Sequence, residues 1–309
     1  MKKILPMLSV IILLVACDKV SYHKTTGGMP YQHFKGKDTQ RIYAGSYVKA
    51  NIIYKVKDSV YFSSVGKLPV YLPVSQTPNP YDISEIWTSL NVGDSVVATQ
   101  MMDTFIKRSP MSIPPEFHNG DRIVTYVKVL GAFSSDSLSN ADETIEKKAF
   151  LSKEISFVEK YLADKKLKTQ KTTSGAFVEI LNPGTGNLPD SGKFVTVNYT
   201  GSTFSGKKFD SNVDTSFHHT EPLNYMVSTH QMIQGFDEAI LLMKPGGSAR
   251  VYVPSMLGYG ANPRPGSGIK PFEHLIFDLT LLNVSDKATP VKRPAATPNQ
   301  KLDAAQPKK

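Results

Sequence analysis

The chain has very little cysteine and tryptophan: Cys17 is the only thiol and Trp87 the only indole among 309 residues. A lone cysteine excludes an intramolecular disulfide, so each folded part must be stabilised by its own hydrophobic core. The sequence also lacks a nucleophile motif, a cluster of metal-ligand residues and a glycine-rich phosphate loop. These absences argue against covalent, metal-dependent and nucleotide chemistry, and we expect no metal site and no cofactor.

The positive charge is concentrated at the two ends of the chain. The formal net charge is +9, but Lys2, Lys3 and the lysines and arginine of residues 287–309 account for most of it. Between the ends, basic and acidic residues are mixed, and no basic stripe alternates with aromatic residues. The sequence therefore predicts no nucleic-acid partner.

The first residues have the pattern of an export signal. Lys2 and Lys3 precede an apolar run over residues 4–15, which is interrupted by Pro6. Such a run is too short to span a bilayer but has the length of the apolar region of a signal peptide.

The apolar run ends in Leu-Val-Ala-Cys at residues 14–17. This ending is similar to the lipobox of bacterial lipoproteins, in which the cysteine is lipidated and becomes the new N-terminus. We expect a lipoprotein signal peptide over residues 1–16, a lipid on Cys17 and a tether over residues 17–26. An ordinary signal peptide with an incidental cysteine is the alternative. Either reading places the protein in the cell envelope, outside the cytoplasm, and the lipid would anchor it to a membrane facing the periplasm or to the outer membrane.

Two segments of the chain are rich in strand patterns. Residues 27–135 include a clear alternation over residues 122–130, and the strand pattern resumes over residues 172–285. Residues 286–309 are rich in proline, alanine, lysine and glutamine, and we expect them to form a disordered tail.

Residues 141–169 differ from both β-rich segments because charged residues alternate there with apolar ones at helical spacing. The apolar positions are Leu151, Ile155, Val158 and Leu162. This pattern predicts an amphipathic helix that links the two segments and packs its apolar stripe on one of them.

The second β-rich segment contains six short motifs in a fixed order. They are Pro-Gly-Thr-Gly at 183–186, Val-Thr-Val-Asn-Tyr-Thr-Gly at 195–201, Gly-Lys-Lys-Phe-Asp-Ser at 206–211, Met-Ile-Gln-Gly-Phe-Asp-Glu at 232–238, Gly-Tyr-Gly at 258–260 and Leu-Ile-Phe-Asp-Leu at 275–279. Each motif alone is weak evidence for a family. Together, in this order and spacing, they resemble the FKBP family of peptidyl-prolyl cis-trans isomerases.

The resemblance implies an α+β fold in which an antiparallel sheet wraps one short helix around an apolar active-site hollow. The implied activity is the isomerisation of prolyl bonds in polypeptide clients, with no cofactor. Amide resonance opposes rotation by roughly 18–20 kcal/mol. Because the planar amide is more polar than the twisted one, a dry apolar pocket disfavours the ground state.

By the resemblance, ten residues line the pocket. The catalytic residues are Tyr199, Phe209, Asp210, Ile233, Tyr259 and Phe277, and the substrate-binding residues are Leu223, Met232, Phe236 and Ile269. The Ile233 N–H and the Tyr259 hydroxyl are expected to donate hydrogen bonds to substrate carbonyls. Asp210 is expected nearest the rotating bond, with Tyr199 bonded to it. Taken without the resemblance, the same apolar stripes are also typical of an ordinary core.

Several positions depart from the family pattern. Phe236 stands where the family usually has tryptophan, and Leu223 replaces a usual aromatic residue. No arginine follows Asp210 at the usual short distance, which leaves this carboxylate without its ion-pair partner. The loop over residues 261–268 is one residue longer than the short family form. His218 and His219, close to His230 in sequence, fit an exposed loop better than a metal site.

The first β-rich segment parallels the second. Residues 45–52 parallel 192–199, residues 85–94 parallel 238–247, and residues 113–115 parallel 269–271. The residues expected to act in the site are missing from the first segment, because Ile52 stands at the position of Tyr199 and Phe62-Ser63 at that of Phe209-Asp210. We hypothesise a degenerate FKBP-like domain without isomerase activity. An unrelated β domain is the alternative.

The leading hypothesis is a membrane-anchored isomerase that assists the folding of exported proteins. A client-binding envelope lipoprotein without useful turnover is the second hypothesis, and a structural envelope lipoprotein is the third.

Overall fold

The computed structural model describes residues 22–108 and 117–287. The predicted signal peptide, Cys17 and residues 288–309 of the predicted tail lie outside the described residues. The α+β class with antiparallel sheets is confirmed, since each of two compact units contains one antiparallel sheet with short helices. The division between the units falls between Lys148 and Ala149. In the described ranges, no helix combines the length and apolar character needed to cross a membrane.

The first unit, called the first domain below, contains a seven-stranded sheet. Its strands are β1 (His23–Lys24), β2 (Pro30–Phe34), β3 (Tyr47–Val56), β4 (Ser59–Ser63), β5 (Val70–Pro73), β6 (Ser95–Met101) and β7 (Arg122–Phe133). A 3₁₀ helix (Ile83–Ser89) lies between β5 and β6, and helix α1 (Met102–Arg108) follows β6. Alternation along β3 buries Val48, Ala50 and Ile52, and these side chains form a core with Trp87 of the 3₁₀ helix.

The second unit contains another seven-stranded sheet. Its strands are β8 (Gln170–Lys171), β9 (Phe177–Asn182), β10 (Phe194–Thr203), β11 (Lys208–Ser211), β12 (Leu223–Met226), β13 (Ser248–Val253) and β14 (Leu275–Ser285). Two 3₁₀ helices (Thr215–Phe217 and Ser255–Leu257) flank the short α-helix Gln234–Ile240. That helix buries Phe236, Ala239 and Ile240 against the sheet. The helix begins at Gln234, because Ile233 is still extended, with ψ 145°, at its N-cap.

The two sheets share one strand order. The first runs β1-β2-β6-β7-β3-β4 with β5 on β3, and the second runs β8-β9-β13-β14-β10-β11 with β12 on β10. The irregularities also coincide: β3 shifts register against β7 after Lys49, and β10 shifts against β14 after Thr196. Against β4 and β11, the shifts follow Tyr54 and Gly201 respectively. β-bulges are specific features of a fold, so bulges at matching positions are stronger evidence of similarity between the two sheets than strand order alone.

A long helix, α2 (Asp136–Asp164), follows the first sheet; the helix Gln234–Ile240 is therefore α3. The amphipathic helix predicted over residues 141–169 exists with different ends. Ser135 caps its start, because the Ser135 hydroxyl accepts the N–H of Leu138 at 3.3 Å. The helix ends before Lys166, whose φ of 56° is left-handed. The N–H of Leu167 then donates a hydrogen bond to the carbonyl of Leu162 and closes the helix end.

The unit boundary lies inside α2, so each half of the helix packs on its own unit. In the first half, Lys49 Nζ lies 2.7 Å from Asp142 Oδ2 and 2.7 Å from Glu146 Oε1. In the second half, Val158 and Leu162 are buried with Phe177 and Tyr252, as the predicted apolar stripe requires, and Leu151 packs against the main core of the second unit.

The tether predicted over residues 17–26 is wrong at its C-terminal end. His23 and Lys24 pair with β2, and the Thr25 hydroxyl donates to Glu85 Oε1 at 3.0 Å. These residues are therefore part of the first domain, which begins before the predicted residue 27.

Candidate active site

The floor of the candidate site is a cluster of aromatic rings in the second unit. Phe236 is fully buried, and its ring meets those of Tyr199 and Phe277 edge-on, at centroid distances of 6.1 and 5.3 Å. The ring of Phe209 meets Phe277 in the same way at 5.7 Å. Edge-to-face contacts of this kind fix ring orientation as well as burying apolar area. Helix α3 supplies Phe236, and strands β10, β11 and β14 supply the other rings.

Gly201 makes room for one wall of this cluster. A Cβ atom at Gly201 would lie 2.5 Å from Cζ of Phe209 and 3.0 Å from Cε1 of Phe277, far inside van der Waals contact. The glycine therefore permits the Phe209 ring to lie across β10. This steric requirement explains the glycine of the Tyr-Thr-Gly sequence at residues 199–201 of β10.

The Asp210 carboxylate is held at both oxygens. The Tyr199 hydroxyl donates to Oδ2 at 2.7 Å, as the resemblance implied, and His219 Nε2 lies 2.7 Å from Oδ1. Among the described residues, His219 is the partner that Asp210 has in place of an arginine. His219 reaches it from the loop after the 3₁₀ helix, nine residues along the chain. Burial and the bond to Asp210 raise the pKa of Tyr199, so the phenol remains a donor.

Two predicted hydrogen-bond donors have no partner within the residues that the structure describes. The N–H of Ile233 precedes α3, and the hydroxyl of Tyr259 lies on a half-exposed side chain after the Ser255–Leu257 helix. Burial, and then the negative charge of Asp210, raise the pKa of Tyr259, which keeps this hydroxyl protonated. Both groups are free to donate to a ligand.

A cavity of about 590 Å³ adjoins these residues. It is lined by Phe209, Asp210, Tyr259, Arg264, Pro265, Gly266, Ser267 and Ile269. Four of the ten predicted site residues therefore line one cavity, and Tyr199, Phe236 and Phe277 belong to the aromatic cluster that contains its lining residue Phe209. The remaining three, Leu223, Met232 and Ile233, are half-buried against the same core without lining this cavity.

Sequence reasoning missed two residues of the site. Arg264 lines the cavity, and its only signal was its place in the lengthened loop. His219 was placed in an exposed loop, and no local pattern connects it with Asp210. In residues 22–108 and 117–287, no group of three His, Cys, Asp or Glu side chains is arranged to hold a metal ion.

Comparison with known proteins assigns the family. A model described as FKBP-type peptidyl-prolyl cis-trans isomerase matches residues 186–282. An FK506-binding protein of Neisseria meningitidis serogroup B is 40% identical over 110 residues, which are 36% of this chain and 96% of that protein. The chain belongs to the FKBP-type peptidyl-prolyl cis-trans isomerases. The match falls in the second unit, which is called the FKBP domain below.

Two further proteins are similar over part of their length. The FKBP-type peptidyl-prolyl cis-trans isomerase FkpA of Escherichia coli is 32% identical over 171 residues, which are 55% of this chain and 60% of FkpA. The crystal structure of a peptidyl-prolyl cis-trans isomerase from Pseudomonas syringae aligns with 43% of this chain and 95% of its own, at 29% identity and a TM-score of 0.36.

The FKBP domain has the features that prolyl isomerisation requires. No covalent bond is made or broken, so the site needs only to bind the twisted amide more tightly than the planar one. An aromatic floor offers an apolar surface to a proline ring. Donors without internal partners can fix the flanking carbonyls of a peptide while the amide rotates.

In the described part of the first domain, different residues stand at the positions of Asp210 and Gly201. Strand register places Phe62 opposite Tyr54, as Asp210 lies opposite Gly201. Phe62 therefore occupies the position of Asp210, one residue away from the sequence alignment, which placed Ser63 there. Tyr54 stands in place of Gly201. Its half-buried side chain packs on the core, whereas Gly201 leaves the corresponding space to the Phe209 ring.

Proposed function

We propose that the FKBP domain isomerises prolyl bonds in the cavity beside Phe209, with the proline ring packed against the Phe209 side of the aromatic cluster that contains Phe236. The observation that carries this proposal is the pair of donors without partners, the Ile233 N–H and the Tyr259 hydroxyl, next to an aromatic floor. These donors hold the substrate carbonyls on either side of the rotating bond. Asp210, oriented by Tyr199 and His219, is the charged group nearest that bond.

The energetic argument concerns the polarity of the amide. A planar amide has the larger dipole and loses more solvation in an apolar pocket than the twisted amide does. The ring of Phe209 and the side chain of Ile269, which line the cavity, provide that apolar surface, and the buried rings of Phe236 and Phe277 support it. Rotation is accelerated to the extent that the twisted state is bound more tightly.

The test is prolyl isomerisation of a short peptide by the chain lacking residues 1–17. Phe209→Ala, Asp210→Leu and Tyr259→Phe should each lower kcat/KM, by roughly 10-fold or more for the loss of a donor or wall in the site. Leu188→Ala, a half-exposed position in the same domain, is the matched control. A folded chain that gives no acceleration, or variants that turn over as fast as the parent, would exclude this site.

We further propose that Cys17 carries a lipid that anchors the isomerase to a membrane, where it assists the folding of exported proteins. The lipobox-like residues 14–17 and the export signal before them support this assignment. Metabolic labelling with a radioactive fatty acid should label the native chain and not the Cys17→Ser variant. Equal labelling of both chains, or none of either, would contradict the anchor.

For the first domain, we propose a degenerate FKBP-like domain that holds clients without isomerising them. Strand β4 supports this role, because Val60 and Tyr61 are 57% and 59% exposed at the edge of the sheet. The variant Val60→Lys/Tyr61→Lys should lose suppression of client aggregation while its peptide isomerisation stays unchanged. Parallel loss of both activities would instead indicate damage to the whole chain.

A further inference from the structure

Glu154 is a buried carboxylate that lies outside the candidate pocket. It projects from the second half of α2 and is only 5% exposed. Its two oxygens accept hydrogen bonds from the Ser255 hydroxyl and, at 2.9 Å, from the N–H of Met256. Within the described parts of the chain, no lysine or arginine forms an ion pair with Glu154, and its basic neighbour is His274, whose Nδ1 lies 3.9 Å from Oε1. A buried carboxylate without such a partner is costly for folding, so its presence calls for a function beyond stability.

Ser255, which donates its hydroxyl to Glu154, stabilises the turn that contains Tyr259. Ser255 is fully buried, and its carbonyl accepts the N–H groups of both Gly258 and Gly260, each at 2.9 Å. These glycines flank Tyr259 on either side. The orientation of the Tyr259 backbone is therefore set by the position of Ser255, and one side of Ser255 is fixed by Glu154.

The other side of Ser255 is fixed by His274. The Ser255 N–H donates to His274 Nδ1 at 3.1 Å, so this imidazole nitrogen is an acceptor. Burial lowers the pKa of His274, which agrees with a neutral ring. Phe157 of α2 stacks on the same ring at a centroid distance of 5.0 Å.

A single face of α2 makes all of these contacts. Phe150, Glu154 and Phe157 follow one another at helical spacing and contact, respectively, Phe272, Ser255 and His274. The helix therefore contacts both ends of the connection between β13 and β14, which carries Tyr259.

We propose that Glu154 is a positioning residue of the isomerase, which acts through Ser255 on the Tyr259 hydroxyl. This inference rests on the proposed function, in which that hydroxyl donates to the substrate. Two donors of different kinds, a hydroxyl and a backbone N–H, converge on the carboxylate. Glutamine can accept only one of them with its carbonyl oxygen, and alanine accepts neither.

The test measures kcat/KM of peptide isomerisation in two backgrounds, the native chain and its Tyr259→Phe variant. Glu154→Ala should lower kcat/KM by roughly 10-fold in the native background, as expected when a reacting geometry is loosened. In the Tyr259→Phe background the same change should have less than about twofold effect, because the group that Glu154 positions is already missing. Glu154→Gln should fall between native and Glu154→Ala. Glu159→Gln, which alters an exposed carboxylate on the same helix, is the matched control and should leave kcat/KM unchanged.

Each outcome bears on the proposal. Equal losses in the two backgrounds would show that Glu154 acts on the domain in general, and unchanged activity would show that it has no role; both overturn the inference. If Glu154→Ala does not fold, Glu154→Gln and Ser255→Ala in the same two backgrounds decide it by the same criterion. A native chain without any turnover would remove the proposed function itself, and this role with it.

Discussion

His219 Nε2 lies 2.7 Å from Asp210 Oδ1, while the Tyr199 hydroxyl holds the other carboxylate oxygen. The side chains of His219 and Asp210 are 45% and 40% exposed, so the pair contributes at most about 1 kcal/mol to stability. Its main effect is to orient Asp210 toward the cavity. No arginine follows Asp210 at short distance in the sequence, and a histidine farther along the chain contacts its carboxylate instead.

This arrangement predicts which substitutions the isomerase tolerates at position 219. His219→Ala should lower kcat/KM by roughly two- to fivefold, the effect of losing a contact worth about 0.5–1 kcal/mol. His219→Arg should keep activity within twofold, because a guanidinium can donate to the same oxygen. His218→Asn is the control, since asparagine tolerates the left-handed backbone there, with φ 60°. Equal activity of all three variants would show that Asp210 needs no partner.

The Gly201→Ala variant should keep its fold and lose activity. The added methyl group must displace the Phe209 ring, which it would approach to 2.5 Å, and overpacking of this size costs about 1–3 kcal/mol. We expect a drop of roughly 10-fold or more in kcat/KM, because the ring forms a wall of the cavity. Ser202→Ala, which adds no atoms, is the neighbouring control. Full activity of Gly201→Ala would mean that the position of Phe209 is unimportant.

Restoring the usual family residue at position 236 should destabilise this protein. Phe236 is fully buried, and three rings surround it at centroid distances of 5.3 to 6.2 Å. An indole needs more volume than this packing offers, so Phe236→Trp should cost about 1–3 kcal/mol and lower the Tm of the FKBP domain in calorimetry. Phe34→Trp, at a half-exposed position, controls for the indole itself. A higher Tm for Phe236→Trp would reveal unfilled space beneath the pocket.

Asp94 should make the stability of the first domain dependent on pH. Its carboxylate is 1% exposed. Burial by itself would raise the pKa of Asp94, but the N–H groups of Gly36 and Asn91 and the His33 ring bond to the carboxylate and lower it below the ordinary 3.8. The stabilisation is therefore complete above pH 3.8 and is lost as the pH falls from there through the lowered folded-state pKa.

Urea unfolding measures this effect, and Trp87 fluorescence reports on the first domain alone because the chain has no other tryptophan. At pH 7, Asp94→Asn should lower the free energy of unfolding by about 2–3 kcal/mol. The difference from the native chain should shrink as the pH falls below 3.8. Asp58→Asn, which alters a 93% exposed carboxylate, is the control and should have little effect at either pH. If the difference in the free energy of unfolding did not change with pH, the loss of stability would come from the altered shape of the side chain and not from the lost charge of Asp94.

The sequence by itself determined the features that depend on local pattern. Alternation over residues 122–130 identified β7, because a sheet with one buried face requires period two. The helical spacing of Val158 and Leu162 identified α2, although not its ends. Ordered motifs identified the FKBP family, and the resemblance predicted ten site residues, of which Phe209, Asp210, Tyr259 and Ile269 line one cavity. The parallel between the halves was also visible, although strand register moved the position of Asp210 from Ser63 to Phe62.

Only the tertiary structure decided which distant side chains meet. No local pattern links His219 with Asp210, or Glu154 with Ser255 across 101 residues, because side-chain pairing over long separations depends on how the elements pack. The same holds for space: the sequence shows a glycine at 201 and a tyrosine at 54, but only the fold shows that the glycine makes room for the Phe209 ring and that the tyrosine packs on the core. Motif and period are properties of neighbouring residues, whereas a pocket is the space that packed elements leave between them.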